Sequence, residues 1–305
     1  MYWKVMNLRS VVILLFILIL PLSNMAYGQN KEPKLEGKYL GQTPPSLTPQ
    51  VFAPGLISIQ GRYEMGVSFT PNFEEVYFSS QKEGDVASIH YSQITNGVWQ
   101  PIKKANFTQS QKAGEMEPFV TQDGKHIYFT AYNKDFTDTK IWVVNREDNG
   151  WSTAKKLKSP INNEEVFNST LASNGDLFYT DIFKSQTFYS PLKNGQYLEI
   201  FPADIPFGIH GFISPDQSYL LVDNRNKEEN SRKDRDLYVY FKQKDGAWSK
   251  PINLGDRINS TVSETVPTVS PDGKYLFFSR FDEKEGFSNI YWVSTEVIEK
   301  LRPKI

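Results

Sequence analysis

The 305-residue chain contains no cysteine. That excludes disulfides, thiol catalysis, cysteine-ligated zinc, iron–sulfur clusters and a lipid on an N-terminal cysteine. Histidine is scarce, with three in the whole chain, so histidine-rich metal sites are not expected. No charge of one sign dominates: Lys+Arg number 34 against Asp+Glu 35, for a net charge of −1. That argues against a general nucleic-acid binder. No G-x-S-x-G nucleophile elbow, H-E-x-x-H zinc motif, phosphate loop or dinucleotide fingerprint occurs. Hydrophobic residues make up 39%, aromatics 14% and charged residues 23%, which is a globular composition and excludes disorder, collagen and coiled coil.

One apolar run stands at the start. Lys4 and Arg9 are followed by VVILLFILILPL at 11–22, then by Ala26-Tyr27-Gly28. A basic start, an apolar stretch shorter than the roughly 20 residues of a membrane span, and small residues before the cut describe a secretory signal peptide. Cleavage is expected before Gln29, and the mature chain is expected in the periplasm or secreted. Lys4 and Arg9 leave with the leader, which takes the net charge from −1 to −3.

The rest is a repeat. VSFTPNFEEVYFSS, PFVTQDGKHIYFTA, STLASNGDLFYTD, GFISPDQSYLLVDN and PTVSPDGKYLFFSR share a short strand, a turn and an apolar strand. Their apolar pairs, at Tyr77-Phe78, Tyr128-Phe129, Phe178-Tyr179, Leu220-Leu221 and Phe277-Phe278, recur at intervals of 51, 50, 42 and 57 residues. That period matches a four-stranded propeller blade, roughly 40–50 residues. Asp123-Gly124, Asn174-Gly175 and Asp272-Gly273 suit tight hairpins in which both central residues take positive φ. Pro71, Pro215 and Pro271 fix φ just ahead of the turn. A third strand follows each pair, and a turn with a trailing aromatic (Trp99, Trp151, Tyr197, Trp248) marks a fourth at the rim.

The fifth repeat lacks that fourth strand and ends in EVIEKLRPKI, a short helix and tail. The segment from Val51 has the aromatic-x-Pro spacing of Trp99-x-Pro101 and is expected to fill the vacancy. The fold predicted is all-β: a five-bladed propeller of four-stranded blades, closed by an N-terminal strand. The expected layout is a signal peptide at 1–28, an extension at 29–50, the propeller at 51–295 and the tail at 296–305. A sixth, degenerate blade within 29–60 is the other count the sequence allows.

SPDGKYLFFSR at 270–280 resembles the WD40-like PD40 repeats of TolB-type propellers. The stretch 236–303 resembles the C-terminal half of exported bacterial proteins built from such repeats. The resemblance covers nearly the whole mature chain, and it implies a propeller exported to the cell envelope. It does not imply an activity, because propellers host enzymes, receptors and scaffolds alike.

Polar residues gather at the entry to the first strand of each repeat: Arg62, Glu64, Glu115, Glu117, Glu164, Glu165, His210 and Glu264. Glu64, Glu115 and Glu264 each lie six residues before Thr70, Thr121 and Ser270, so they share one level of a central channel. Such carboxylates could ligate calcium or serve glycoside hydrolysis. The same glutamates equally suit an internal duty, tying down backbone amides or an arginine. Asp181, Asp223, Arg225, Arg280 and Asp282, after the second strands, could pair with the acidic residues, hold an anionic ligand or link blades. His210 breaks the repeat and is the histidine to follow; His90 and His126 read as surface residues. No metal centre and no cofactor is expected beyond calcium. The insertion KEENSRKDRD at 227–236 reads as a solvated loop, and Trp99, Trp151 and Trp248 as blade packing. The function expected is a monomeric, non-catalytic binding or scaffold module of the envelope, holding a protein partner, a cell-wall fragment or a glycan. Nucleic acid and a transmembrane segment are not expected. The alternative is a carbohydrate-active hydrolase or lyase using the channel carboxylates.

Overall fold

The computed structural model describes residues 35–304 apart from 149 and 226–232. The predicted leader and most of the 227–236 insertion lie outside the described residues. Strand β1 (Gln50–Val51) precedes the repeats. The first repeat supplies β2 (Tyr63–Phe69), β3 (Glu75–Gln81), β4 (Ser88–Thr95), β5 (Val98–Trp99) and β6 (Lys103–Lys104). The second supplies β7 (Gly114–Val120), β8 (His126–Tyr132), β9 (Lys140–Glu147), β10 (Gly150–Trp151) and β11 (Lys155–Lys156). The third supplies β12 (Val166–Leu171), β13 (Leu177–Asp181), β14 (Gln186–Ser190) and β15 (Phe201–Pro202). The fourth supplies β16 (Ile209–Ile213), β17 (Tyr219–Arg225), β18 (Arg235–Phe241) and β19 (Ile252–Asn253). The last supplies β20 (Ser263–Val269), β21 (Tyr275–Asp282) and β22 (Phe287–Ser294), and α1 (Glu296–Glu299) follows.

The chain is thus all-β, built from repeated antiparallel sheets as in a β-propeller. In each repeat the long strands pair antiparallel in chain order. Pro101, which has no N–H to give, separates the outer fragments β5 and β6 of the first repeat. The outer side of β22 takes β1, with Gln50 opposite Trp292 and Val51 opposite Tyr291. A single parallel pair, Tyr63 with Ser288, joins the last repeat to the first in one nine-stranded sheet. The described part of 29–60 holds only a 3-10 turn at Lys38–Gly41 and β1, with no antiparallel sheet of its own.

The turns differ from the expectation in one respect. Only the last residue of each turn takes positive φ: Phe73, Gly124, Gly175, Gln217 and Gly273. The preceding Asp or Asn is instead held by its side chain. Ser270 Oγ donates to Asp272 Oδ1 at 2.8 Å and accepts from Tyr275 N at 3.0 Å, while Asp272 Oδ1 accepts from Lys274 N. Thr70, Thr121 and Ser214 repeat the arrangement with Asn72, Asp123 and Asp216. The carboxylate or amide supplies a local acceptor, so the residue before the glycine stays on the ordinary side of φ.

A second regularity positions the site. The first long strand of every repeat carries a register shift on its ladder. One residue in each shift takes the left-handed conformation: Gly66, Glu117, Asn168, His210 and Val266, at φ 60°, 55°, 51°, 49° and 51°. These are β-bulges, which re-aim the side chain they carry. Four of the bulged N–H groups reach an oxygen on the second strand of the preceding repeat. Glu117 N donates to Ser79 Oγ (2.7 Å), Asn168 N to Thr130 Oγ1 (3.1 Å), His210 N to Thr180 Oγ1 (3.0 Å) and Val266 N to Asp223 Oδ1 (3.3 Å). Between last and first repeats, Thr268 Oγ1 donates to Val67 O at 2.9 Å and Glu64 N to Ser288 Oγ at 2.8 Å.

The apolar core lies between adjoining sheets. At the junction of first and last repeats, Phe52 packs edge-on against Phe277 and Trp292, with ring centroids 5.0 and 5.2 Å away. Phe69, Phe78, Trp99 and Tyr39 complete that cluster.

Candidate functional site

The glutamates that share a repeat position are not brought to one another. Each braces the loop leading into its own strand. Glu64 accepts from Arg62 Nε at 2.8 Å and from Ile59 N, while Arg62 also donates to Ile57 O. Glu264 accepts from Arg280 Nε at 2.7 Å and from Ser260 N and Oγ, while Arg280 also donates to Ile258 O. Glu115 uses Thr108 N, Thr108 Oγ1 and Phe107 N in place of an arginine. All three side chains are buried. Burial outweighs the paired arginine at Glu64 and pushes its carboxyl up to about 7; burial likewise raises Glu264. Arg225, at the exposed end of β17, stands opposite Arg235 in the ladder.

The bulge position gathers the remaining candidates. Glu117 of the second repeat and His210 of the fourth meet there, with His210 Nε2 3.4 Å from Glu117 Oε1. On its other side His210 Nδ1 lies 2.6 Å from Asp223 Oδ1. Asp223 also accepts from Arg235 Nε through its second oxygen. Gly66 sits against the same group, since a Cβ there would lie 3.3 Å from Glu117 Cα and 3.7 Å from Val266 Cγ1. Thus residues of four repeats converge at one level. Glu117 is 4% exposed, and its Oε2 has no hydrogen-bond partner.

Two departures from the repeat make this cluster. The bulge carries Glu117 and His210 where the others carry glycine, asparagine or valine. Asp223 occupies the ladder position that is Ser79, Thr130, Thr180 and Ser279 in the other repeats. A carboxylate there bonds the next repeat's N–H as a hydroxyl would, and has charge left for His210 and Arg235.

The electrostatics follow. Burial alone would depress the His210 imidazole, but Asp223 and Glu117 outweigh it and push the ring up to about 9. Burial would raise Asp223, but His210 and Arg235 hold it below the usual carboxylate range. The ring is therefore cationic at neutral pH, with both N–H groups aimed at carboxylates. Half-buried Tyr63 and Phe167 stand beside the cluster, and Phe167 packs edge-on against the imidazole at 4.9 Å. Burial pushes the Tyr63 phenol up to about 12. Met65, Met116 and Val266 supply an apolar wall. Buried apolar surface around a few convergent polar groups with shifted ionisation is the general build of a ligand site.

Among the described residues, no group of three or more His, Asp or Glu is arranged to hold a metal ion. His90 is held by Ser88 O and Ser80 Oγ, and burial depresses it. His126 pairs with Asn145 near the hairpin turns. Asp223 is among the residues after the second strands that the sequence offers as links between blades; Arg235 is not. The signal for Asp223 is its replacement of Ser or Thr at one repeat position; Arg235 lies within a stretch that reads as a charged surface loop.

No protein-family model and no curated protein matches the chain. Among solved structures it is similar to TolB from Acinetobacter baumannii, at 14% identity over 75% of this chain and 54% of that one, with TM-score 0.47. This chain therefore spans about half the length of that TolB. It is also similar to XC5397 from Xanthomonas campestris, described as a gluconolactonase, at 10% identity over 85% and 96% of the two chains, TM-score 0.48. A third is an oligogalacturonate lyase from Vibrio parahaemolyticus, at 14% identity over 77% and 66%, TM-score 0.42. At this similarity no activity, ligand or partner passes from them to this chain.

Proposed function

We propose that the chain is an exported five-bladed propeller, its ring completed by β1, that serves as a non-catalytic binding module of the cell envelope. Its ligand, a protein segment, cell-wall fragment or glycan, would sit at the axial mouth beside His210. The observation that carries this reading is the commitment of Glu64, Glu115 and Glu264 to their own loops. Each carboxylate is engaged by backbone amides, hydroxyls or arginine of its own entry loop, as a brace requires, with only Glu64 Oε2 left without a partner. The charge-bearing departures from the repeat, Glu117, His210 and Asp223, meet one another, as the residues of a single recognition site would. A rigid scaffold with one irregular polar centre suits binding.

A second reading has its own observation. His210 is oriented by Asp223, and its Nε2 stands 3.4 Å from Glu117 Oε1, which is a proton-transfer arrangement. The alternative is therefore a carbohydrate-active hydrolase or lyase centred on Glu117 and His210.

The test uses residues 29–305 in thermal unfolding against calcium, plant, algal and cell-wall oligosaccharides and muropeptides, with product analysis on the same mixtures. A ligand of the folded state stabilises by about 2.7 kcal/mol at a hundredfold excess over Kd. The binding reading expects a shift without turnover, weakened in His210→Asn. Turnover lost in Glu117→Gln would replace it with the enzymatic reading.

A further inference from the structure

One aromatic trails the third strand of each of the first four repeats: Trp99, Trp151, Tyr197 and Trp248. In three of them the polar ring group donates to an oxygen of the chain itself. Trp99 Nε1 donates to Gly37 O at 2.7 Å, Trp151 Nε1 to Tyr77 Oη at 2.6 Å and Tyr197 Oη to Gly175 O at 2.9 Å. Trp248 Nε1 has no such acceptor among the described residues.

Trp151 and Trp248 stand in matched grooves. Each faces a cation across its ladder, Arg146 and Lys242. Each cation lies over the indole, 3.8 and 4.2 Å from the ring centroid. A cavity of about 380 Å³ lies between the first and second repeats, and one of about 340 Å³ between the third and fourth. Tyr77 stacks on Tyr91 in one groove and Phe178 on Tyr189 in the other, at 5.8 and 5.3 Å. The grooves differ in what meets the donors. Glu75 takes Arg146 through both oxygens, at 2.9 and 2.7 Å, and the Tyr77 hydroxyl takes the indole. The third repeat has Asp176 and Phe178 at those positions. Asp176 is turned to Leu192 N, Asn174 Nδ2 and Gln217 Nε2, at 3.2, 2.8 and 3.0 Å. Phenylalanine brings no hydroxyl. Lys242 Nζ is thus left without an ion pair among the described residues.

We propose that the groove between the third and fourth repeats binds an acidic side chain of a partner protein, whose carboxylate stands to Lys242 and Trp248 as Glu75 stands to Arg146 and Trp151. The groove goes beyond the axial reading and shares no residue with that site.

The matched groove selects the class, because it shows which group the frame holds beside a cation stacked on an indole. Two donors without acceptors, one of them charged, call for an anionic acceptor, since charge-assisted hydrogen bonds are the stronger kind. A cationic ligand would meet Lys242, and a neutral one would leave its charge unanswered. Partial burial holds the Lys242 ammonium below its usual range, and Asp204, at the exposed margin, opposes this without forming an ion pair. Half-buried Tyr189 and Trp248 offer apolar wall for the stem of a glutamate. The first repeat shows that this rim also holds extended chain. There Trp99 N donates to Leu35 O at 2.9 Å, and Glu36 bridges Val98 antiparallel.

The experiment follows the Trp248 indole N–H resonance of isotopically labelled residues 29–305, assigned through Trp248→Phe, during titration with the peptide acetyl-Leu-Glu-Leu-amide. Acetyl-Leu-Gln-Leu-amide and trigalacturonic acid are run beside it. The expected result is saturable movement by the glutamate peptide and roughly fivefold weaker binding of the glutamine peptide. Lys242→Gln is expected to weaken the glutamate peptide by a similar factor, and Lys242→Arg, which restores the cation of the matched groove, to keep it. Lys242 is exposed, so both variants are expected to fold. Phe178→Tyr, which supplies the hydroxyl of Tyr77, is expected to shift the indole resonance of the free protein and to weaken binding. His210→Asn is expected to leave binding unchanged. No movement at up to about 5 mM peptide, a Kd range too weak to matter, overturns the proposal. Equal binding of the two peptides, or binding unchanged in Lys242→Gln, overturns it as well. Movement by trigalacturonic acid alone overturns the protein assignment. Binding lost in His210→Asn but kept in Lys242→Gln overturns it while leaving the axial reading intact.

Discussion

His210 is the residue whose environment departs furthest from what its neighbours in sequence announce. Its imidazolium is held by Asp223 and Glu117, with a folded pKa of about 9 against 6.5 unfolded. A group with a raised folded pKa gives stability that is fully present below its unfolded value and is lost as pH rises through the folded one. Stability is therefore expected to fall between pH about 6.5 and 9, by at most about 3 kcal/mol. His90, depressed by burial, acts in the other window, costing stability only as pH drops below 6.5. Melting curves across pH 6–10 check this. His210→Asn should flatten the alkaline slope, and asparagine suits the left-handed backbone there, as Asn168 does at the matching bulge. An undiminished slope in that variant would place the titration elsewhere. Asp223→Asn is expected to cost about 3 kcal/mol by denaturant titration, since it removes the buried carboxylate that pairs with Arg235 and leaves half-buried His210 only Glu117. His210 was legible as a break in the repeat, and Glu117 by its neighbourhood to Glu115. Their meeting was not, because it depends on bulges that turn different side chains to one level. Glycine, glutamate, asparagine, histidine and valine share no chemistry by which sequence could align them.

At the scale of the element, the hairpins were legible in position and misjudged in mechanism. Asp-Gly marks the turn, but the aspartate acts by accepting hydrogen bonds rather than by adopting positive φ, and the partner hydroxyl three residues before the glycine is as much part of the motif. The third repeat tests that statement. Ala172 stands where the others have serine or threonine, so Asn174 Oδ1 accepts from Asp176 N and from Gln217 Nε2 but from no hydroxyl of its own turn. Ala172→Ser is expected to stabilise by about 0.5–1 kcal/mol, the net worth of a hydrogen bond, seen as a melting increase of a degree or more. Ser270→Ala should lose about as much or more. If Ala172→Ser lowers the melting temperature, the hydroxyl is not what the turn lacks. The bulge has a matching probe. Gly66 sits at φ 60° with Glu117 Cα 3.3 Å from any added Cβ. Gly66→Ala is expected to cost about 1–3 kcal/mol through backbone strain and crowding, and denaturant midpoints would show it.

For the whole molecule, the repeated antiparallel sheets were readable because each needs its own apolar pair and its own turn. The role of the N-terminal segment was readable only by elimination, from a last repeat one strand short. The structure gives that segment two tasks. Gln50 and Val51 pair with β22, and Phe52 is fully buried among Phe277, Trp292 and Phe69. Tyr39 adds an edge-on ring to the same cluster and a hydrogen bond to Asp272 in the last turn. A chain without disulfides has only such packing to join its ends. Phe52→Ala should cost about 3–5 kcal/mol, the usual loss for a buried phenylalanine. Removing residues 29–53 should do more, because it also strips the β-partner from β22 and leaves Tyr291 and Trp292 on an open edge. An unpaired apolar edge templates association. The shortened chain is therefore expected to melt at lower temperature, with reduced cooperativity, and to run larger than a monomer in size-exclusion with light scattering. A peptide of residues 29–53 added in trans should restore both. If the shortened chain instead stays monomeric and melts as the mature chain does, β1 is an accessory, and the Tyr63–Ser288 pair with the Glu64–Ser288 and Thr268–Val67 bonds suffices to join the last repeat to the first.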